Sequence, residues 1–433
     1  RISAPVSRTC SGYMALTVPA VPTGMKAGVW MSPRGVSMIS PSQRPSAISL
    51  PALFLIFLQF GFSAFGGPVA QIAMIRQALV EDERWIDSAR FNRLLAVMQI
   101  LPGPEAHELC VHLGIVARGR PGGLVAGLGF MLPGLILMLA AAWAYTSFVA
   151  GSGGAVGMLM GVQAAVLAII LRAVQRIASH ILMNPASVGL SIIAFGGTAA
   201  GVPFWLLLVA AGLSYAAFRN PAAIVLTAMA LASAAWLVFP ATGIMDLAPA
   251  TIVSAPVSVL ALFVAGLKGG LLTFGGAYTA IPYVREDTVG RGWLSDAAFL
   301  DGVAVAGLLP APLVIFATFA GYVAGGLSGA LAITAGMFLP AFAFSMLFFE
   351  RLEAVVKMSG LHRLLDGVAA AVIGIIGATF VDLGASTVQR SPDPVLTLAI
   401  FVIAATAAWR LKGRWVTPAL IALGAAGGML IPT

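Results

Sequence analysis

"FGGPVAQIAMIR", Phe65 to Arg76, returns as "FGGAYTAIPYVR", Phe274 to Arg285. The correspondence continues in order along both parts of the chain. "RWIDSARF" (Arg84–Phe91) meets "GWLSDAAF" (Gly292–Phe299), and "LPGP" (Leu101–Pro104) meets "LPAP" (Leu309–Pro312). "FMLPG" (Phe130–Gly134) then meets "MFLPA" (Met337–Ala341), with the offset staying between 207 and 209 residues. Chance supplies one such match, not four in register. The chain is a tandem duplication.

Composition decides the solvent. Of 433 residues, 60% are hydrophobic and only 9% are charged, whereas soluble domains average about 25% charged residues. Apolar runs near the roughly 20 residues that cross a bilayer recur from Leu50 onward, among them Gly123–Ala142, Ala155–Leu171, Ile181–Ala200, Val257–Phe274 and Leu396–Trp409. The expected fold is an all-α polytopic membrane protein. The formal charge of +8 follows from basic cytoplasmic loops and calls for no nucleic acid. Cys10 and Cys110 make no disulfide or metal framework. There is no GxxxxGK[ST] phosphate loop, so ATP-driven pumping is not expected, and neither is any cofactor or enzymatic activity.

Residues 1–49 differ in texture, being rich in Ser and Pro with Arg8, Lys26, Arg34 and Arg44 scattered among them. They carry no signal-peptide pattern. With Arg1 at the start, they read as an over-extended frame whose true start is Met14, Met25, Met31 or Met38, and no fold is expected of them.

Charge placement orients the two copies. Arg118, Arg120, Arg172 and Arg176 have no basic counterparts in the second copy, while Arg351, Lys357, Arg363, Arg410, Lys412 and Arg414 have none in the first. Cytoplasmic loops collect Lys and Arg, so the copies are expected upside down relative to each other, as in many secondary transporters. Each copy holds six apolar segments, near 52–75, 94–117, 122–148, 154–172, 181–200 and 203–218 in the first. Inversion then needs one further crossing, which Pro221–Phe239 supplies. The expected organisation is a first repeat over 50–219, a linking helix over 220–240 and an inverted second repeat over 241–433. That makes about 13 transmembrane segments, or as few as 10 if segments such as the Arg76–Arg93 stretch or "LPGP" are re-entrant.

The Gly–Pro breaks inside these segments are the candidate site. Backbone broken within a bilayer is tolerated only where protein or a water-filled cavity covers it. Each helix restart, at Pro68 after Gly66–Gly67 and at Pro102–Gly103–Pro104 after Gln99, directs free N–H groups and a positive dipole end toward the break. Gly275–Gly276 and Pro310 with Pro312 repeat the feature. A single such break is more often a packing notch or kink; recurrence at one offset points to a transporter site. Free N–H groups suit an anion.

Charged neighbours complete the list of candidates. Glu105 falls in the first turn after the break, where protonation would remove its competition with an anion and couple the two movements; the second copy has Leu313 there. Glu108 and His112, four apart, share a helical face and suit a pair. His107, Cys110 and His112 are spread around the helix, so no metal site is expected. Arg76 and Arg285 occupy equivalent places and suit either an anion or an interfacial anchor. Lys268 lies inside an apolar run, where charge is a functional candidate by default. Asp366 and Asp382 read as boundary residues.

At these residues the sequence resembles the chromate transporter (chromate ion transporter) family. The resemblance is carried by "FGGP", "IR" at Ile75–Arg76, Trp85, Phe91, "QILPGPEA" (Gln99–Ala106), the GxxGG at Gly119–Gly123 and "FMLPG". In the second copy it is carried by "FGGAYTAIPYVR", "GWLSDAAFLDG" and "ATFAGYVAG". It implies a bacterial inner-membrane carrier with inverted halves that exports chromate on the proton-motive force and confers resistance. Sulfate, of the same shape and charge, is the natural competitor, and its import or exchange is the alternative reading. A non-transporting scaffold is disfavoured by the duplicated breaks. The expected partners are the oxyanion, protons and the lipid bilayer, with a homodimer allowed. Where the family's second copy typically carries a glutamine and PGP, this chain has Gly307 and Pro310–Ala311–Pro312, which puts substrate identity in question.

Overall fold

Prolines and capping side chains set the helix starts in a chain whose apolar stretches would otherwise run together. The computed structural model describes residues 48–65, 67–98, 101–149, 156–238, 256–273, 277–347, 359–411 and 416–431, and among these there are helices and no strands. The Ser49 side chain caps the first helix by accepting from the Ala52 N–H, with Pro51 behind it. Asn184 and Ser187 form a reciprocal capping box on either side of Pro185. Ser258, Ser295 and Asp393 each accept from the N–H three residues on. Each cap satisfies a donor that a helix start leaves open.

The first copy runs α1 (Leu50–Phe62), α2 (Gly67–Arg76), α3 (Ser88–Met98), α4 (Glu105–Ala144), α5 (Val156–Ile181), α6 (Pro185–Ala199) and α7 (Phe204–Ala217). A linking helix, α8 (Pro221–Val238), follows. The second copy repeats the order as α9 (Val259–Leu271), α10 (Ile281–Thr288), α11 (Asp296–Leu308), α12 (Phe316–Leu347), α13 (Ser359–Arg390), α14 (Pro394–Arg410) and α15 (Val416–Gly428). The motifs matched in sequence thus begin or interrupt equivalent helices. The segments expected near 52–75 and 94–117 each hold two helices, α1 ending at Phe62 before α2 begins at Gly67, and α3 ending at Met98 before α4 begins at Glu105.

Among the described residues four helical stretches have the length and apolarity to cross a membrane: Glu105–Val149, Gly157–Ile181, Leu313–Leu347 and His362–Arg390. Two of the four are folded back on themselves. In α4, Arg118 (φ −142°, ψ 26°) and Gly119 (φ 64°, ψ −164°) leave the helical region; in α12, Gly325 (φ −143°, ψ 22°) and Gly326 (φ 62°, ψ −155°) do the same. A β-carbon on Gly127 would lie 2.7 Å from Val111 Cγ2, although an unbroken helix would hold residues sixteen apart about 24 Å from each other. In α12 the hydroxyls of Thr318 and Thr334 are hydrogen-bonded at 2.6 Å across the same fold. Each is a hairpin: an arm of about 20 Å (residues 105–117 in α4), a glycine turn, and a longer returning arm. The glycine at the turn is required because its positive φ costs other residues roughly 1 kcal/mol or more.

The copies exchange their last helices. Helix α5 packs against α14 and α15 of the second copy, and α13 packs against α6 and α7 of the first. Backbones meet through glycine: Gly161 against Gly424 and Gly428 on one side, Gly374 against Ser191 and Phe195 on the other. Small residues at such crossings are how helices associate where lipid supplies no hydrophobic drive. The described residues thus form a helical, polytopic membrane protein built of two interlocked copies.

Candidate functional site

The breaks of one copy bond to those of the other. Gln71, one turn into α2, is buried and donates from Nε2 to the Ala64 carbonyl (2.8 Å) and to the Ala311 carbonyl (2.9 Å). The first contact spans its own Phe65–Pro68 break; the second reaches the Pro310–Pro312 break of the second copy. Reciprocally, the Gly103 N–H of the first copy's Pro102–Pro104 break donates to the Thr273 carbonyl (2.9 Å), immediately before the second copy's Phe274–Gly276. Three breaks, and the residue leading into the fourth, are therefore joined crosswise. The polar backbone of an interrupted helix finds partners here, as the bilayer interior demands.

Of the residues nominated from sequence, Gly67 (φ +79°) and Pro68 begin α2. Gly103 is buried at φ +141°, and Pro104 caps α4. Pro102 is half-buried, while Pro310 and Pro312 are buried. Gly66, Gln99, Gly275 and Gly276 lie outside the described residues. Glu105 opens the first arm of α4 and is buried. Ala311, the departure from the glycine expected at that break, sits with its β-carbon directly against Gly134. Gly134 lacks the atom that would collide, so the extra methyl is housed in the returning arm of α4.

The basic candidates each have acidic partners. Arg285 bonds Asp296 through Nε (2.7 Å) and Nη2 (3.1 Å), and Asp382 through Nη2 (2.6 Å). Its counterpart Arg76 bonds Ser88 Oγ (3.0 Å) and Asn92 Oδ1 (3.4 Å) and approaches Glu81 (3.5 Å). Ser88 stands where Asp296 stands in the second copy, so the same link is a hydroxyl contact in one half and an ion pair in the other. Lys268 pairs with Asp287 (3.0 Å), which also takes Arg291 (2.9 Å), and its ammonium lies 4.5 Å from the centre of the Phe204 ring. Asp382, read from sequence as a boundary residue, lies inside α13 and serves Arg285. Its placement near an apolar segment's end concealed this.

The pairing of Glu108 with His112 is not formed. Glu108 is fully buried, and among the described residues neither carboxyl oxygen has a hydrogen-bond partner. One oxygen lies 2.5 Å from the position a Gly103 β-carbon would take. Helical spacing put Glu108 and His112 on one face, but the break provides a gap beside Gly103 that the carboxyl fills instead. His107 is enclosed by Phe338 and Phe342, at 5.0 and 4.8 Å between ring centres, which ties the first arm of α4 to α12.

Three further polar residues escaped the sequence reading. Gln71 and Thr273 have been placed above; a lone glutamine within "PVAQIAM" was the available signal. Asp301, in α11, is buried and accepts from Tyr145 Oη (2.9 Å) and Gln163 Nε2 (3.0 Å). It borders a cavity of about 220 Å³ with Leu159, Val162, Leu308 and Ile421. A carboxylate within "FLDGVAV" was its signal.

Comparison with known proteins follows the duplication. The family model described as "Chromate transporter" matches residues 51–255 and again 260–429. A curated "Chromate transport protein" of Pseudomonas aeruginosa is 53% identical over 90% of this chain and 94% of its own. A protein of the same name from Cupriavidus metallidurans is 32% identical over 87% of this chain and 92% of its own. A "Probable chromate transport protein" of Synechococcus elongatus is 28% identical over 89% and 96% respectively. No solved structure matches.

Proposed function

The chain belongs to the chromate transporter family, and from that premise we propose that it is a secondary carrier exporting chromate across the bacterial inner membrane, driven by the proton-motive force and conferring chromate resistance. The observation that carries this reading is the crosswise bonding of the breaks, Gln71 to Ala311 and Gly103 to Thr273. Interrupted helices meeting between two copies of a repeat are where carriers place their substrates. The helices that restart after these breaks offer first-turn N–H groups, those of Glu105 and Ala106 in α4, and positive dipole ends to a tetrahedral dianion, while the prolines, which lack an N–H, shape the breaks.

In this reading the two copies are inverted in the membrane, with about 13 segments in all. Reciprocal exchange of the last helices supports an axis relating the halves, and the asymmetric basic residues support its lying in the membrane plane. Arg76, Arg285 and Lys268, each held by a carboxylate, brace the helices around the site and draw the anion through their field. Glu105, at the mouth of the Pro102–Pro104 break, is where a proton reaches the site. The housing of Ala311 by Gly134 keeps that break close-packed, so the departure at this position is compatible with the family's substrate.

Inside-out vesicles containing the protein are expected to take up labelled chromate faster than vesicles without it, with excess sulfate competing. Uptake of sulfate with no uptake of chromate would instead establish a sulfate carrier. Uptake of neither oxyanion would remove the transport reading.

A further inference from the structure

Glu108 lies against the Pro102–Pro104 break, and its environment restricts its charge. Both oxygens are buried and unpartnered among the described residues, over a glycine whose N–H is already given to Thr273. An ionised carboxylate without hydrogen bonds is strongly disfavoured in such surroundings, whereas a neutral acid is tolerated and keeps an O–H to donate. Among the described residues, the groups around it do not bond to it. Glu105 precedes it by one turn; His112 follows by one turn, with Arg90 of α3 in its field. Helices α1 and α12, packed on α4, carry no charged side chain. Arg76 at the end of α2 is held by Glu81 and Ser88. In α11, Asp296 is held by Arg285, and Asp301 by Tyr145 and Gln163.

We propose that Glu108 is the proton-binding group of this carrier, that its protonated carboxyl donates a hydrogen bond to the oxyanion held at the Pro102–Pro104 break, and that proton and oxyanion therefore cross the membrane in the same direction. The inference rests on the reading of that break as the oxyanion site. The ionised carboxylate repels a dianion and the neutral acid binds it, so each ligand raises the affinity for the other. Ligands coupled in that sense travel together. The second copy has Phe316 at the equivalent position, so one proton accompanies one dianion and a single net negative charge moves. Export is then driven by the electrical part of the proton-motive force, the negative interior expelling the charge, and it is opposed by acid outside. Glu105, one turn before it, relays the proton to Glu108.

The test separates the two driving forces in proteoliposomes loaded with labelled chromate. A potassium diffusion potential, interior negative, is expected to accelerate efflux several-fold in the wild type, and acid on the chromate side to accelerate it further. Glu108→Gln, which keeps the shape but carries no titratable proton, is expected to lose the pH response of whatever efflux remains; Glu108→Asp restores the pH response. Wild-type efflux accelerated by acid on the opposite side, or an intact pH response in Glu108→Gln, overturns the proposal. Infrared difference spectroscopy decides independently of which oxyanion is carried. A protonated-carboxyl stretch present at neutral pH in the wild type and missing in Glu108→Gln supports it, and a wild type lacking that band overturns it even where chromate moves.

Discussion

The β-carbon of Ala311 abuts Gly134, and Ala341, the counterpart of Gly134, abuts Gly103, the counterpart of Ala311. Each copy's second break thus meets the returning hairpin arm of the other copy through one glycine and one alanine. The first copy has glycine at both positions and the second has alanine at both, so neither crossing holds two methyls. Gly134→Ala would place two β-carbons in one volume and is expected to destabilise the protein by about 1–3 kcal/mol. The double change Gly134→Ala with Ala311→Gly restores the one-methyl crossing. Thermal unfolding in detergent checks this; equal loss in single and double variants would deny the compensation.

The two hairpin turns give a direct reading of topology. In a background with Cys10 and Cys110 replaced by serine, single cysteines are placed at Arg120→Cys and Ser328→Cys, both exposed positions at equivalent turns. Inverted copies put the first on the cytoplasmic side and the second on the opposite side. A membrane-impermeant maleimide applied to intact cells is expected to label only the second. Labelling of both, or of neither, from outside means that the copies run in the same sense.

Gln71 holds two carbonyls that no other described donor reaches. Gln71→Leu leaves the Ala64 and Ala311 carbonyls buried without it, a loss on the order of 1–3 kcal/mol for each such group. Because the lost contacts join two breaks, chromate transport is expected to fall by more than the decrease in folded protein explains. Transport per folded molecule, measured by binding-competent protein recovered from size exclusion, is the readout.

Arg285 and Arg76 occupy equivalent positions with unequal partners, and their loss should be unequal too. Arg285→Ala strands Asp296 and Asp382 and is expected to cost about 2–3 kcal/mol, at the low end for a broken buried pair because the groups are partly exposed. Arg76→Ala removes hydroxyl and amide contacts and one exposed ion pair, and is expected to cost less than about 1 kcal/mol. Comparison of the two melting temperatures decides; a larger loss at Arg76 would contradict the assignment of partners.

Asp301 ties α11 to the hairpin and to α5 through Tyr145 and Gln163. Asp301→Leu leaves the buried Gln163 and the half-buried Tyr145 without their acceptor and is expected to destabilise by about 2 kcal/mol. Asp301→Asn keeps an acceptor and recovers part of that. If the leucine variant is as stable as the wild type, the buried cluster contributes nothing to holding the copies together.

Much of the fold was legible in one dimension. Duplication at a nearly constant offset, apolar segments of bilayer length and prolines at restarts located the helices and their interruptions, because covalent geometry and the absence of water act locally. The pairing across breaks was not legible. Gln71 gave no sign of Ala311, 240 residues away, and the spacing of Glu108 and His112 suggested a contact that the gap beside Gly103 displaced. The boundary between the segments near 94–117 and 122–148 does fall at the Arg118–Gly119 turn of α4. The sequence alone determined where helices begin, break and repeat, since those depend on residues within a turn or two of each other. Only the tertiary structure decided which backbone groups each break would bond and which carboxyl would stand unpartnered among them, because buried polar groups take their partners from whatever distant segment packing brings within reach.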